Sequence, residues 1–418
     1  MTAPSGVASG TLRRTALATL RFFSTLILVA GACVICLVLL EAVVRAWIGV
    51  SAARVSAATV AGPMAGKPWV RDFNKEFDAT RNVQWEPYVY FRRIRPYHGK
   101  YVNIDSQGHR ITPQPMTPTT PDARVFFLGG STMWGSFQRD DHTVPAEASR
   151  RLQALVGAGH RIDVTNLGEQ GWVNSQEVVE LMLQLRAGQR PDVVVFMDGI
   201  NDPFATLQAG KAGIPENEQK RATEFALGRK LDRTLYGHGL ASDIRAIGAL
   251  ALAVLDHLET MQKLRTLVHR PDAPILAADS AARATAAVYE ENVRIVEALS
   301  RAYDFTPIYL WQPTLHATDK KPTQFEARLL KSIAANPLQR RLGETYREMP
   351  RYLDSTMATI AHERFVDATH VFKDSTLPVF PDIVGHNTEE SIPTIVDAFW
   401  PELQQVVAAR LKARSAAH

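Results

Sequence analysis

From residue 124 onward, short apolar runs alternate with longer stretches of helical spacing. Arg124-Val-Phe-Phe-Leu128 is continuously apolar after its first residue and runs into Gly129 and Gly130. Val193-Val-Val-Phe-Met197 has the same character, as does Ile308-Tyr-Leu-Trp311 within Thr306–Pro313. Such runs suit strands buried on both faces of a parallel sheet. Ile162–Leu167 alternates as a further strand, and Arg364–Ala368 supplies a fifth. Between them the pattern predicts helices over Thr143–Val156, with Pro145 in the first turn, and over Val178–Leu185, opened by an Asn174/Glu177 capping box. Further helices are expected over Tyr289–Tyr303, about Pro337–Ala361 and Ile392–Arg410. The last buries Ile395, Val396, Phe399, Leu403, Val406 and Val407 on one face, with a kink at Pro401. Alternation of this kind is that of βαβ units in a parallel α/β sheet.

The first fifty residues follow a different rule. Phe22 to Leu40 carries no charge and is dominated by Leu, Val, Ile and Phe, about the length a helix needs to cross a bilayer. Arg13, Arg14 and Arg21 precede it, with no acidic residue among them. The positive-inside rule then places residues 1–21 in the cytoplasm as a tail. Residues 22–48 are expected to be an uncleaved signal anchor, with everything after about residue 48 outside the cytoplasm. Cys33 and Cys36 are the only cysteines and both lie in this run, so their C-x-x-C spacing reads as apolar helix surface rather than a redox or metal motif.

Residues 49–122 form a stalk and lead-in segment with no long helical period. Within it Asn103-Ile-Asp-Ser-Gln-Gly-His-Arg110 carries turn punctuation between short extended pieces. The main domain is expected over 123–418. A helical insertion at about 203–285 interrupts its rhythm, with helical spacing over Ile244–Val268 and a poorly patterned piece around 273–285. The net charge of +4 is mild and Lys and Arg are scattered, which argues against a nucleic-acid partner. Histidines show no metal-ligand spacing, so neither metal nor other cofactor is expected.

The chemistry gathers at strand ends. Ser131 follows Gly129-Gly130, Gly171 closes the loop after the second strand, and Asn201 lies in the loop after the third. A serine at the carboxyl end of a parallel strand lies where open α/β sheets keep their ligand crevice. The N–H groups of Ser131 and Gly171 and the Asn201 amide could stabilise an oxyanion. A base and its orienting carboxylate come from Asp382-Ile-Val-Gly-His386 or from Asp367-Ala-Thr-His370.

On Gly129-Gly-Ser131 with Thr132, Asn166-Leu-Gly-Glu-Gln-Gly171, Gly199-Ile-Asn-Asp202 and the C-terminal Asp/His segment, the chain resembles the SGNH/GDSL hydrolase superfamily. With its anchor, its Asn103…Arg110 lead-in and GGSTMWG, it is similar to a bacterial membrane-anchored branch associated with envelope polysaccharides. The resemblance implies a flavodoxin-like three-layer α/β/α fold with a five-stranded parallel sheet. It implies Ser131 as nucleophile, Gly171 and Asn201 in the oxyanion hole, and a C-terminal Asp–His pair. The sequence departs from the family in carrying Gly130 where many members carry Asp. The family's Asp-x-x-His spacing fits Asp367/His370, whereas Asp382/His386 has one residue more. His386 is preferred because a final amphipathic helix follows it, with Asp382 as its carboxylate.

The leading expectation is a serine esterase that removes acyl groups, acetyl above all, from a cell-envelope glycan at the outer, periplasmic face of a bacterial inner membrane. The same site would serve a polysaccharide O-acetyltransferase. A different class is a non-catalytic glycan-binding or scaffold subunit of a polysaccharide export system, which the irregular Asp/His spacing favours. Polysaccharide biosynthesis or export proteins are the candidate partners. Trp134, Trp172 and Trp311 each lie just beyond a strand end or motif loop, where a face could stack on a sugar; packing of the crevice walls is the alternative. Asp202 is a candidate for substrate contact or for loop stabilisation.

Overall fold

In the computed structural model, the described residues are 7–60, 62–93, 96–218, 221, 222, 225, 258, 276–361 and 364–417. They divide into two units, one containing the N-terminal helix and the other spanning residues 58–223 and 273–418.

The N-terminal helix, α1 (Val7–Val60), contains a candidate membrane span over Leu20–Trp47 with mean hydropathy 2.9. Ile27, Leu28, Ile35 and Val38 on it are all exposed, as lipid-facing residues would be. Cys33 and Cys36 are free and exposed on the same helix.

The second unit is built on a five-stranded, wholly parallel sheet. Its strands are β5 (Ala123–Gly129), β6 (Ile162–Asn166), β7 (Val193–Asp198), β8 (Thr306–Trp311) and β9 (Phe365–Asp367), in the spatial order β6-β5-β7-β8-β9. That is the doubly wound order in which the first strand of the sheet lies between the second and third. Alternate residues of each strand serve opposite faces. Val125, Phe127, Val193 and Val195 pack with α4 (Val144–Val156) and α10 (Ile392–Ala417). Phe126, Leu128, Val194 and Phe196 pack with α5 (Asn174–Arg186), α7 (Ala278–Tyr303) and α9 (Pro337–Ile360). Apolar side chains on both faces are why β5 and β7 read as continuous apolar runs in the sequence.

Several boundaries differ from expectation, each for a local reason. Asn174 does not cap α5 but begins it, because its N–H bonds the Asp202 carboxylate and its amide reaches Asp198 Oδ2 at 3.1 Å. The Gln176 side chain instead accepts the Val173 N–H at 3.2 Å. Of the expected insertion, 203–209 continue α6 (Asn201–Ala209). Residues 278–285, thought poorly patterned, open α7 and bury Ala281, Ala282 and Thr285 against the sheet side. The expected helix over Ile244–Val268 lies outside the described residues apart from Leu258. A helix not anticipated, α8 (Gln324–Ala335), is opened by a capping box between Thr323 and Glu326. The last helix runs on to Ala417, with Pro401 inside it, and buries Ile395, Val396, Phe399, Leu403 and Val407; Val406 is half-buried.

The lead-in is more ordered than its composition suggests. It holds α2 (Val70–Ala79), the hairpin β1 (Val83–Glu86) with β2 (Tyr90–Arg93), and the pair β3 (Tyr97–His98) with β4 (Asn103–Ile104). Phe73, Phe77, Val102 and Ile104 share an apolar cluster with Trp134. Asn103 and Arg110 converge on Asp140, at 2.8 Å each. Arg110 also donates to the carbonyls of Trp134, Gly135 and Gln138. The Asn103…Arg110 motif thus clamps the turn that follows Ser131.

Candidate active site

β5 ends in two glycines because nothing larger fits. A Cβ on Gly129 would stand 2.6 Å from Met133 Cβ and 2.7 Å from the Met197 carbonyl. One on Gly130 would stand 2.2 Å from Asn201 Nδ2. A side chain before the serine therefore has no room here while Asn201 holds its place. The chain then turns directly into α3 (Ser131–Trp134), whose first residue is the serine. Ser131 retains 8% of its surface, so it is reachable from solvent.

The C-terminal loop brings His386 to this serine. The Ser131 hydroxyl lies 2.8 Å from His386 Nε2, and His386 Nδ1 lies 2.6 Å from Asp382 Oδ2. With the proton on Nδ1, Nε2 presents its lone pair to the hydroxyl. The residues form a Ser–His–Asp relay. Burial pushes the Asp382 carboxyl up, but the imidazole beside it and the N–H groups of Val384 and His386 outweigh burial and hold it below the usual carboxylate range. The extra residue in Asp382–His386 is absorbed at Gly385, whose φ of +95° suits glycine. Both Thr132 Oγ1 and Gln312 Nε2 donate to the Gly385 carbonyl, each at 3.3 Å, and so fix the loop. His370 instead pairs with exposed Asp319 at 2.9 Å, and Asp367 accepts from Thr369.

Asn201 ties the donor groups together. Its Nδ2 gives one N–H to the Trp172 carbonyl at 2.7 Å and lies against Gly130, and among the described residues its second N–H has no acceptor. Gly171, adjoining Trp172, has a φ of +75° that favours glycine. Among the described residues, neither the Ser131 N–H nor the Gly171 N–H has an acceptor. Three donors therefore gather at the carboxyl ends of β5, β6 and β7.

The tryptophans do not present faces to this crevice. Trp134, Trp172 and Trp311 are 0%, 0% and 1% exposed. Trp134 is held between the Arg93 and Arg110 guanidinium groups, each 4.4 Å from its ring centre. Trp172 donates to the Phe91 carbonyl at 3.0 Å, and Trp311 packs between Tyr289 and Tyr346. Sugar stacking on these rings is corrected to wall packing. Asp202, equally, receives the Asn174 N–H and stabilises the loop.

Other residues at the site carried no motif. Phe137 sits at φ +65° with its ring centre 5.3 Å from that of His386, a bulky side chain in the left-handed region beside the relay. Glu169 is buried with its carboxylate on the Arg93 N–H at 2.8 Å. Glu177, Asp198 and Asp202 are buried close to one another, and burial pushes all three carboxyls up, Asp198 to about 6. Only strand-end position could have marked Asp198 and Gln312; nothing in the pattern marks Phe137.

No protein-family model and no curated protein matches the chain. Solved structures similar to it include TesA (13% identity, TM-score 0.35, covering 68% of this chain and 99% of that one). The acetylxylan esterase Axe2 of Geobacillus stearothermophilus matches at 15% identity and TM-score 0.35, over 68% of this chain and 94% of that one. The psychrotrophic esterase EstA of a Pseudoalteromonas species matches at 9% identity and TM-score 0.31, over 68% and 97%.

Proposed function

We propose that the protein is a serine esterase of the SGNH/GDSL type, and one observation carries the reading. The Ser131–His386–Asp382 chain of hydrogen bonds, 2.8 Å and 2.6 Å long, stands where β5 ends, and among the described residues the N–H groups of Ser131 and Gly171 have no acceptor. In the cycle this supports, His386 takes the proton of Ser131 as the serine oxygen attacks an ester carbonyl. The C=O electron pair moves to oxygen and is held by the N–H groups of Ser131 and Gly171 and by the Asn201 amide. Collapse expels the alkoxide, which takes the proton from His386 and leaves an acyl-serine. Water, deprotonated by the same imidazole, then releases the acid. Asp382 orients the ring and stabilises its cation.

The substrate class we infer is an acyl ester of a cell-envelope glycan, acetyl above all. It rests on the N-terminal span and on the resemblance set out above, with the buried tryptophans contributing nothing. Arg13, Arg14 and Arg21 before the span support a cytoplasmic N-terminus and a site on the outer side of the membrane.

The test is acetate release by the detergent-solubilised full-length chain from p-nitrophenyl acetate and from an O-acetylated polysaccharide. Release from both, lost in Ser131→Ala, is expected. Release from neither would leave the scaffold reading. Release from the small ester alone would remove the glycan.

A further inference from the structure

Glu216 lies against Gly171, and the Ser131–His386–Asp382 chain of hydrogen bonds does not use it. A Cβ on Gly171 would lie 3.5 Å from Glu216 Oε2 and 3.7 Å from Phe91 Cζ, so carboxyl and ring together wall the Gly171 side of the crevice. Glu216 is half-buried. Among the described residues its carboxyl has neither a hydrogen-bond nor an ion-pair partner. The charged groups around it do little to neutralise it. Asp202 on α6 bears on it with like charge. Arg221, five residues on, is turned over the Phe91 ring at 4.6 Å, and Arg92 on β2 lies over the Trp172 ring and is paired with Glu180. Glu218 adds a further carboxyl to the same segment.

We propose that Glu216 is an electrostatic gate on the esterase site, permissive as the neutral acid and opposed to the reaction as the carboxylate. The proposal rests on the esterase reading above. The transition state places a full negative charge on the former carbonyl oxygen, next to the Gly171 N–H. A carboxylate on the Gly171 side of the crevice, walled with Phe91, opposes the new charge across a partly buried gap. The neutral acid leaves the donors unopposed. Like charges a few ångströms apart at a partly buried site change a rate by about tenfold or more. Burial pushes the Glu216 carboxyl up to about 7, so the gate would close as pH rises through neutrality. His386 sets the opposite requirement, since it must be neutral to accept the serine proton.

The experiment is the pH dependence of kcat/KM on a neutral acetyl ester, with the full-length chain in detergent. Wild type, Glu216→Gln and Glu216→Asp are compared, and Ser131 labelling by a fluorophosphonate is followed in each. Wild type and Glu216→Asp should lose activity above about pH 7. Glu216→Gln should match wild type near pH 6 and exceed it about tenfold or more at pH 8.5. Should Glu216→Gln not fold, loss of the falling limb in Glu216→Ala supports the gate equally. Labelled, active enzyme with the same alkaline limb in every variant would overturn the gate and leave the esterase standing. No hydrolysis and no labelling at any pH would overturn both.

Discussion

Gly130 and Asn201 compete for one volume. A methyl group at Gly130 would come within 2.2 Å of Asn201 Nδ2, so Gly130→Ala must displace the amide that reaches toward the oxyanion. Removing one such donor costs about a hundredfold in kcat. Gly130→Ala and Asn201→Ala should each show a loss of that order, with KM little changed, and the double variant should lose hardly more than either. Multiplicative losses would mean that the two residues act independently. The residue scale is also where sequence reading was most informative and most misleading. Ser131, Gly171 and Asn201 stand out in the sequence because each follows a strand, and His386 because the final amphipathic helix follows it. The tryptophans obeyed the same positional rule, yet their rings point inward, since large aromatic surface at a strand end is worth more buried than exposed. Position along the chain does not encode that direction. Nor does it encode Glu216, which reaches Gly171 from a turn beyond α6.

Among elements, the contact of α5, β7 and α6 is the least comfortable in the fold. It buries Glu177, Asp198 and Asp202 together, with Asn174 and Tyr289 each donating to Asp198 Oδ2, at 3.1 and 3.2 Å. Burial, then the neighbouring negative charges, pushes the Glu177 carboxyl well above its usual range. A carboxyl raised in the folded state holds its proton there while the unfolded chain releases it near pH 4. Its contribution is therefore complete at low pH and is lost as pH rises through the folded value. Asp198, raised to about 6, follows the same sign. Glu177→Gln imitates the protonated acid without its titration. It should melt close to wild type at pH 5 and higher at pH 8, by on the order of 1–3 kcal/mol. A difference that stays constant across that range would show that the Glu177 carboxyl is not raised in the fold and titrates as it does in the unfolded chain. The capping expectation at Asn174 failed for a related reason. Local patterning assigns an asparagine before a helix to the helix, whereas this one serves buried carboxylates on two other elements.

For the whole molecule, the parallel sheet was legible because buried strands announce themselves by uninterrupted apolar runs, and the apolar N-terminal helix by its length. The lead-in was not. Its helix is only 10 residues long, its strands are two to four residues long, and its stability comes from packing Phe73 and Phe77 around Trp134 rather than from local period. Its function became visible only in the fold, where Arg110 crosses to the turn behind the nucleophile and Phe91 walls the oxyanion side. A serine at the start of α3, a histidine from a loop more than 250 residues later, and a clamp from the lead-in come together in one place, which is why the chain needs all of them folded together. The most direct test of that assembly is covalent capture of the serine, read by intact mass and peptide mapping after exposure to a fluorophosphonate. The account predicts a single adduct on Ser131 in wild type and in His370→Ala, and none in His386→Ala. Labelling that survives loss of His386 but not of His370, or an adduct on any other residue, would contradict it.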